Sequence, residues 1–312
     1  MTFKADTGQD LNVEVIIPTL NEEKTIGELI KSVNQLKIPQ KLSILVIDGG
    51  SNDKTVEICK ELNIPVVRQK GLGKGNAMKE AAQISNGDII VFVDGDGTYS
   101  ISDLPNILQP LIENKADMVV GSRVLGKREK GSISIMNTMG NKIFNKTINF
   151  AMKSKVTDSL TGYRAIWREL FNDLILFSSN FEIEVEMTIE ALGKGYRVTE
   201  IPIKYGTRKG TITKLDPMGD GFKIARTLLF ISMNMNPLKF FSLITLGFLV
   251  IGMIPGSQVI FEKITTGEIE SFPSAILSVL FFVTGTLSFV VGLLSELVVR
   301  SRRRLEYLMS KR

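Results

Sequence analysis

The stretch Ile89-Ile-Val-Phe-Val-Asp94-Gly-Asp96-Gly97 places two aspartates, one residue apart, directly after five apolar residues. An apolar run of this length that ends in turn-forming residues predicts a buried strand, so both carboxylates should stand at a strand end. Carboxylates in that place suit a hard divalent cation, and such cations hold phosphate groups. The stretch therefore predicts a phosphate-binding site at one edge of a sheet.

Around this stretch, the first 120 residues alternate between strand-like and helix-like patterns. Strands are predicted at residues 13–17, 42–47, 66–67 and 88–93, and helices at 22–36, 54–62 and 74–84. This alternation is typical of an α/β protein in which helices flank a mostly parallel sheet. The carboxyl ends of its strands then border a crevice of nucleotide size.

Polar segments follow three of the predicted strands. They are Pro18–Glu22, Asp48–Thr55 and Asp94–Asp96. Because the carboxyl ends of parallel strands meet at one edge of a sheet, these segments should lie together. Each also has a structural explanation, since Asn21 and Asp53 could cap the helices that follow and Asp48 could close a turn. Capping explains Asp53 better than a ligand role does, but all three segments in this order favour a binding crevice.

Two long apolar stretches lie near the C-terminal end. Residues 240–261 and 271–295 contain no charged side chain. Each stretch is long enough for the roughly 20-residue helix that crosses a bilayer, which argues against a pair of buried core helices. We expect a transmembrane hairpin in residues 237–312, with spans at about 238–260 and 273–298 and a basic tail after the second span.

Charge sets the expected orientation of this hairpin. The connecting segment carries three glutamates, whereas positive residues gather after the second span: Arg300, Arg302, Arg303, Arg304, Lys311 and Arg312. The positive-inside rule then predicts a multi-pass protein of the cell membrane, or of an ER-type membrane, with both termini cytoplasmic. The N-terminal residues lack the apolar core of a signal peptide, and the single cysteine, Cys59, suits a reducing compartment.

Residues 219–236 interleave apolar and basic side chains between the α/β part and the first span. This pattern predicts an amphipathic helix in the membrane interface, although it also suits a last core helix of the preceding domain. Residues 1–218 are then a cytoplasmic catalytic domain. The net charge of +5 does not indicate nucleic acid, because no stacking aromatic residues are interleaved with the basic ones. Anionic lipid headgroups and phosphate substrates are the simpler partners.

Four motifs taken together resemble family 2 glycosyltransferases of the GT-A fold. They are Pro18-Thr-Leu-Asn21-Glu22, Val46-Ile-Asp48-Gly-Gly-Ser51-x-Asp53-x-Thr55, Gly73-Lys74-Gly75-x-Ala77 and Asp94-Gly-Asp96. More narrowly, they resemble polyprenyl-phosphate sugar transferases of the dolichol-phosphate mannose synthase type. The resemblance covers residues 12 to 215, and the predicted hairpin agrees with membrane-attached members.

The resemblance implies a nucleotide-diphospho-sugar donor and a Mg²⁺ or Mn²⁺ cofactor. The implied nucleotide-binding residues are Pro18, Asn21, Glu22, Asp48, Lys74, Asp94, Arg208 and Lys214. The implied metal site comprises Asp94, Asp96 and Thr98, the last standing where some relatives have a glutamine ligand. Catalytic roles fall to Asp96, Arg208 and Glu184, with Arg208 clamping the diphosphate through its planar fork.

The resemblance also implies an acceptor side. Arg123, Ser132 and Asn137 would receive a lipid phosphate, and Asp158, Gly162 and Glu182 would lie near the sugar. For the basic loop at residues 127–130, a solvated surface loop is equally compatible with the sequence. The glutamates at 182, 184 and 186 share one face if the segment is a strand, whereas only the first and last share one if it begins a helix.

The absence of histidine bears on the mechanism. A sugar hydroxyl acceptor would need a base, whereas a lipid phosphate is already ionised near neutral pH. Together with the resemblance to polyprenyl-phosphate sugar transferases, this favours inverting transfer of a hexosyl group to a polyprenyl or dolichyl phosphate. The resemblance favours GDP-mannose as donor, and UDP-glucose and UDP-GlcNAc stay open. A glycan-extending or polysaccharide-forming family 2 enzyme and a non-enzymatic membrane scaffold are the alternatives. The sequence leaves open whether the chain forms homo-oligomers.

Overall fold

The computed structural model describes residues 11–129, 132, 135–208 and 237–309. The chain divides into two compact units, Met1–Gly221 and Phe222–Arg312. The first unit carries a sheet flanked by helices, and the second carries two long helices. The predicted interfacial helix at residues 219–236 lies outside the described residues.

The described part of the first unit contains a seven-stranded sheet. Its strands are β1 Asn12–Thr19, β2 Lys41–Asp48, β3 Val66–Arg68, β4 Ile89–Phe92, β5 Met118–Ser122, β6 Arg164–Trp167 and β7 Val198–Pro202. Its helices are α1 Ile26–Asn34, α2 Thr55–Glu61, α3 Lys74–Ile84, α4 Leu104–Ile112, α5 Ile135–Met152, α6 Arg168–Asp173 and α7 Ile183–Gly193. The alternation of strands and helices predicted for the first 120 residues is confirmed.

The strand order is β3-β2-β1-β4-β6-β5-β7. Strands β1 to β4 are parallel, β6 runs antiparallel to both β4 and β5, and β5 is parallel to β7. The chain leaves β1 towards β2 on one side, while β4 pairs with β1 on the other. Such a reversal opens a crevice at the carboxyl ends of the central strands, which is where open α/β sheets bind ligands.

Apolar side chains explain why these strands lie at the centre. All four residues of β4 are buried, as are Val13, Val15, Ile16 and Ile17 of β1. Helix α1 adds to the same core a stripe of buried side chains at the helical spacing: Ile26, Leu29, Ile30 and Val33. Burying an aliphatic side chain of this size stabilises a fold by about 1.5–3 kcal/mol, so the core fixes the strand ends that border the crevice.

Two predicted boundaries were wrong. Helix α1 begins at Ile26 and not at Glu22, and a turn at residues 23–25 precedes it, in which the N–H of Thr25 donates to the Glu22 carbonyl at 3.1 Å. The sequence at residues 201–205 also predicts an edge strand, and the observed strand there is β7, Val198–Pro202, which lies at the sheet edge but begins three residues earlier. An edge strand tolerates the missing N–H donor of Pro202.

Strand β6 was not predicted. It is a run of four residues, all buried, so it lacks the alternation that marks a half-exposed strand. The glutamate-rich segment begins helix α7, so Glu184 lies on a different face from Glu182 and Glu186.

The second unit is a pair of contacting helices, α8 Pro237–Thr266 and α9 Phe272–Met309. Both are longer than the predicted spans. They approach closely where glycines face phenylalanines, since a Cβ added at Gly252 would lie 2.9 Å from Phe281 Cβ. Ser278 Oγ also donates to the Gly252 carbonyl at 2.9 Å. Small residues and hydroxyl bonds of this kind join membrane helices, and both helices are long and apolar enough to cross a bilayer.

Candidate active site

The loops after β1 and β2 are tied together by hydrogen bonds. The N–H of Gly49 donates to the Thr19 carbonyl at 2.8 Å, and the N–H of Asn21 donates to Ser51 Oγ at 2.9 Å. In return, Asn21 Oδ1 accepts from the N–H of Asn52 at 2.8 Å. Asn21 has φ 58°, a left-handed conformation in which asparagine is enriched. Its observed role is to shape the loop, and its contact with a nucleotide stays a prediction.

The two aspartates after β2 close turns. Asp48 is buried, and its carboxylate accepts from the N–H of Gly50 at 2.9 Å and from Ser51 Oγ at 2.5 Å. Asp53 Oδ1 accepts from the N–H of Thr55, at the start of α2, at 3.0 Å. Asp53 thus closes a turn just before α2, whose N-cap residue is Lys54 and not Asp53. Asp48 has the turn-closing geometry, and its nucleotide role stays a prediction.

Asp94 and Asp96 lie where β4 ends beside β1. Thr25 Oγ1 donates to the Gly95 carbonyl at 2.6 Å, which holds the loop of β4 against the turn that leads from β1 into α1. Asp96 Oδ1 accepts from Thr98 Oγ1 at 2.7 Å and from the Thr98 N–H at 3.1 Å. Thr98 is buried and orients Asp96, so a direct contact between Thr98 and a cation stays a prediction. The side chains of Asp94 and Asp96 keep 26% and 17% exposure.

The predicted sugar contact Gly162 lies against Asp94. A Cβ added at Gly162 would stand 2.6 Å from Asp94 Oδ2, so no larger residue fits there without displacing the carboxylate. The Gly162 N–H donates to Tyr99 Oη at 2.9 Å, and Tyr99 itself is buried. Sequence reasoning missed Tyr99, which binds the backbone N–H of Gly162 and so holds Gly162 against Asp94.

The two aspartates fit a hard divalent cation. Both present carboxylate oxygens that remain partly open to solvent, and oxygen ligands are what Mg²⁺ and Mn²⁺ prefer. Among the described residues, no group of three or more His, Cys, Asp and Glu side chains could enclose a metal ion unaided. A cation here would need further oxygens from substrate and water, as Mg²⁺ usually does when it binds phosphates.

Lys74, at the first position of α3, contacts Asp94 directly and lies 2.6 Å from Glu184 Oε1. Its side chain is only 10% exposed, and Nζ stands 5.6 Å from the centre of the Phe181 ring. Burial lowers the pKa of the ammonium, but the carboxylates of Asp94 and Glu184 outweigh burial and hold the pKa above its ordinary value. Lys74 is therefore a fixed positive charge beside the first aspartate.

Glu184 is held through both its side-chain carboxylate and its backbone carbonyl. Its carboxylate binds Lys74, and its carbonyl accepts from Arg164 Nη1 at 2.6 Å. Arg164 is fully buried, and its other donors reach the carbonyls of Ser159 and Thr161. Glu184 is thus engaged as a counter-ion of Lys74, and its catalytic role stays a prediction. Sequence reasoning missed the clamp by Arg164, whose signal is a charged residue inside a buried strand.

Arg208 reaches the same crevice from the segment after β7. Its Nη2 lies 2.6 Å from Glu22 Oε1, and its Nε lies 3.8 Å from Asp96 Oδ2. The segment is guided there by the Gly206 N–H, which donates to the Thr98 carbonyl at 2.8 Å. Burial raises the pKa of Glu22, although Arg208 opposes that change. The structure therefore brings together a cluster of four carboxylates and two cationic side chains. Its members are Glu22, Asp94, Asp96, Glu184, Lys74 and Arg208.

This constellation agrees with the comparison to known families. The family model described as "Glycosyl transferase family 2" matches residues 14–175, which is more than half of the chain. The chain belongs to glycosyl transferase family 2. It is therefore a glycosyltransferase, and the strand-end aspartates lie within the matched region.

Relatives extend the match along the chain. Glycosyltransferase AglJ of Haloferax volcanii is 34% identical over 291 residues, covering 93% of this chain and 94% of that protein. The dolichyl-phosphate hexose transferase of the same organism is 32% identical over 217 residues, covering 70% and 92%. Among solved structures, glucosyl-3-phosphoglycerate synthase from Mycobacterium tuberculosis, in complex with Mn²⁺, UDP-glucose and phosphoglyceric acid, has a TM-score of 0.57 at 23% identity, covering 70% and 79%. That likeness shows a shared GT-A-like fold.

On the predicted acceptor side of this glycosyltransferase, Arg123 is paired with Asp158. Arg123 donates through Nε and Nη2, each at 2.8 Å, and its backbone N–H adds a third bond at 3.0 Å. Asp158 is fully buried and supports Arg123 in the structure, and its predicted contact with a sugar stays a prediction. Burial raises the pKa of Asp158, but the hydrogen bonds and charge of Arg123 outweigh burial and hold the pKa below its ordinary value.

Three asparagines of α5 fasten the segment that carries Asp158. Asn141, Asn145 and Asn149 are four residues apart and so share one helix face. Asn141 Nδ2 donates to Asp158 Oδ1 at 2.9 Å, Asn145 accepts from the N–H of Ser159 at 3.0 Å, and Asn149 accepts from the N–H of Val156 at 2.8 Å. Glu200 of β7 accepts a hydrogen bond from the N–H of Asp158 at 2.8 Å. The regular spacing of the asparagines was the available sequence signal.

The remaining predicted site residues divide by position. Ser132 donates its hydroxyl to the Glu129 carbonyl at 2.9 Å, and Glu182 stands partly exposed just before α7. Pro18 lies within β1, half-buried beside the crevice loops. The side chain of Asn137 and all of Lys214 lie outside the described residues. The roles of these residues stay predictions.

Proposed function

We propose that this glycosyltransferase moves one hexosyl group from a nucleotide-diphospho-sugar to a polyprenyl phosphate of the dolichyl type, with inversion at the anomeric carbon. GDP-mannose is the donor we favour, ahead of UDP-glucose and UDP-GlcNAc. The observation that carries the proposal is the cluster at the strand ends, where Lys74 and Arg208 contact Asp94, Asp96 and Glu22. The name of the hexose-transferring relative supports the choice of a dolichyl phosphate acceptor.

The cluster suits the departure of a nucleoside diphosphate. As the bond between the sugar's anomeric carbon and the diphosphate oxygen breaks, its electron pair moves onto the diphosphate. Arg208 can meet that growing charge with two N–H donors of its guanidinium, and Lys74 adds a point charge. A Mg²⁺ or Mn²⁺ ion held by Asp94 and Asp96 would supply further neutralisation.

The acceptor side needs orientation more than proton transfer. A phosphate oxygen of the lipid would form the new bond to the anomeric carbon, and an ionised phosphate has no proton to lose. Glu184, the buried carboxylate nearest Asp94, is already engaged by Lys74. Asp158 contacts Nε and Nη2 of Arg123, so we propose that the lipid phosphate meets Nη1. Catalysis then rests on positioning and fixed charge.

The two long apolar helices support membrane association. They fit the proposal of a cytoplasmic catalytic domain at residues 1–218, an interfacial segment at 219–236 and a hairpin at 237–312 with both termini cytoplasmic. A lipid-linked acceptor would share the bilayer with such an anchor. Homo-oligomer formation stays an open prediction.

A panel of donors and acceptors tests the proposed function. Full-length protein in detergent would receive radiolabelled GDP-mannose, UDP-glucose or UDP-GlcNAc, each with dolichyl phosphate, undecaprenyl phosphate or phosphate-free dolichol. We expect one donor to label a phosphate lipid and none to label dolichol, because the acceptor atom is the phosphate oxygen. Label in a longer glycan, with none in any lipid phosphate, would instead establish the glycan-extending alternative.

A further inference from the structure

Lys74 occupies the side of Asp94 that faces Glu184. The ammonium contacts one of the two proposed cation ligands and at the same time binds a second, buried carboxylate 2.6 Å away. In the arrangement described here, Asp94 therefore already has a cationic partner. The partner belongs to the chain itself, and it competes for the same carboxylate that a metal ion would use.

The position of Lys74 is set by tight packing around the start of α3. Gly73 has φ 91°, and a Cβ added at Gly75 would stand 2.6 Å from the Ser178 carbonyl. The segment before α7 is thereby pressed onto the N-terminus of α3. Glu184 is fixed in its turn by Arg164. These contacts anchor the backbone that carries Lys74 and the residue that carries the second carboxylate, whereas the ammonium itself is held by its ion pairs with Asp94 and Glu184.

A positive charge at this place works against a second cation. Two like charges a few ångströms apart repel each other strongly at the effective dielectric of a partly buried site, and a divalent ion doubles the repulsion. A nucleoside diphosphate changes the balance, because its negative oxygens offer Lys74 a new partner. The cation and the diphosphate should therefore favour each other's binding through Lys74.

We propose that Lys74 is a built-in substitute cation on Asp94, which disfavours metal binding until a nucleoside diphosphate draws the ammonium away. The inference rests on the proposed donor and metal but not on the proposed acceptor. Its consequence is thermodynamic coupling: the nucleotide tightens metal binding, and by linkage the metal tightens nucleotide binding by the same factor. Donor and metal then bind preferentially together, and the metal ion binds more weakly when the nucleotide is absent.

Mn²⁺ binding to the full-length protein in detergent tests this, with free Mn²⁺ measured by electron paramagnetic resonance. Without nucleotide, we expect Lys74→Met to bind Mn²⁺ at least about tenfold more tightly than the unmodified chain, or about 1.4 kcal/mol. With saturating GDP or UDP the difference should disappear or reverse, because the variant also loses a diphosphate contact. The matched control is Lys79→Met on the same helix. Within the described part of the chain, Lys79 Nζ donates to the Leu176 carbonyl at 3.5 Å, and this variant should bind Mn²⁺ as the unmodified chain does.

Two further variants keep the test decisive. Lys74→Met leaves Glu184 buried without its partner, so the double variant Lys74→Met/Glu184→Gln removes both charges and should still bind Mn²⁺ more tightly than the unmodified chain. Glu184→Gln alone leaves Lys74 on Asp94 and should give no gain. Equal or weaker Mn²⁺ binding by both Lys74 variants without nucleotide would overturn the inference. Tighter binding with no sugar transfer to any lipid phosphate would leave the inference standing and refute only the proposed acceptor.

Discussion

Replacing Asp96 with asparagine is expected to lower kcat for sugar transfer by roughly 10³-fold. The carboxylate of Asp96 stands at the strand end, oriented by Thr98 and facing Arg208. Asparagine keeps its size and its bond from Thr98 but removes the negative charge that would hold a cation on the diphosphate. Stabilisation of leaving-group charge by a metal ion is worth several kcal/mol, and each 1.36 kcal/mol corresponds to about a tenfold change in rate.

The measurement is initial-rate kinetics with the donor and lipid that the panel identifies, at saturating Mg²⁺ or Mn²⁺. Asp173→Asn is the matched control, because Asp173 is an exposed aspartate that pairs with Lys194 outside the crevice. The control should retain ordinary activity. An Asp96→Asn variant that keeps more than a tenth of kcat would show that this carboxylate does not serve the chemical step.

Replacing Asp158 with alanine is expected to destabilise the catalytic unit by about 3–5 kcal/mol, the usual cost of removing one partner of a buried ion pair. Asp158 is fully buried, and the Arg123 side chain is 13% exposed. Alanine leaves the Arg123 guanidinium without its counter-ion, and it also removes the acceptor of the Asn141 side-chain N–H group. Asp158→Asn retains part of the hydrogen bonding and should be destabilised less.

Urea unfolding followed by tryptophan fluorescence can measure this change. Trp167 is the single tryptophan and lies in β6, so its emission reports the unit that holds Asp158. Glu113→Ala, which removes the exposed partner of Lys115, is the control and should leave the midpoint unchanged. A midpoint for Asp158→Ala that matches this control would mean that the pair contributes nothing to folding.

Much of the crevice could be predicted because it depends on local pattern and sheet geometry. The helix predicted at residues 74–84 has both of its ends in the predicted places. The strand before Asp94 and the polar loops after β1 and β2 were also predictable, since parallel strands bring their carboxyl ends to one edge. The meeting of Asn21 with Ser51 and of Thr25 with Gly95 follows from that geometry.

The pairing of charges could not be predicted, because it depends on partners far apart in sequence. Arg123 and Asp158 are 35 residues apart, and Lys74 and Glu184 are 110 apart. Each pair forms only when distant helices and strands have packed together, and the local sequence pattern does not encode where these elements lie. The short buried strand β6, which runs antiparallel within an otherwise parallel neighbourhood, brings Gly162 to Asp94 and Arg164 to α7. Sequence motifs identified these residues as important but not which of them neutralise one another.

The stoichiometry of the reaction tests the central proposal most directly. With the preferred donor and dolichyl phosphate, the released nucleoside diphosphate would be quantified by a coupled enzymatic assay. The mass of the lipid product would be measured by mass spectrometry. We predict one nucleoside diphosphate released for each dolichyl phosphate consumed, a product heavier by a single hexosyl group, and no release with phosphate-free dolichol. Repeated additions to one lipid, or equal release with dolichol, would contradict transfer of one sugar to a lipid phosphate.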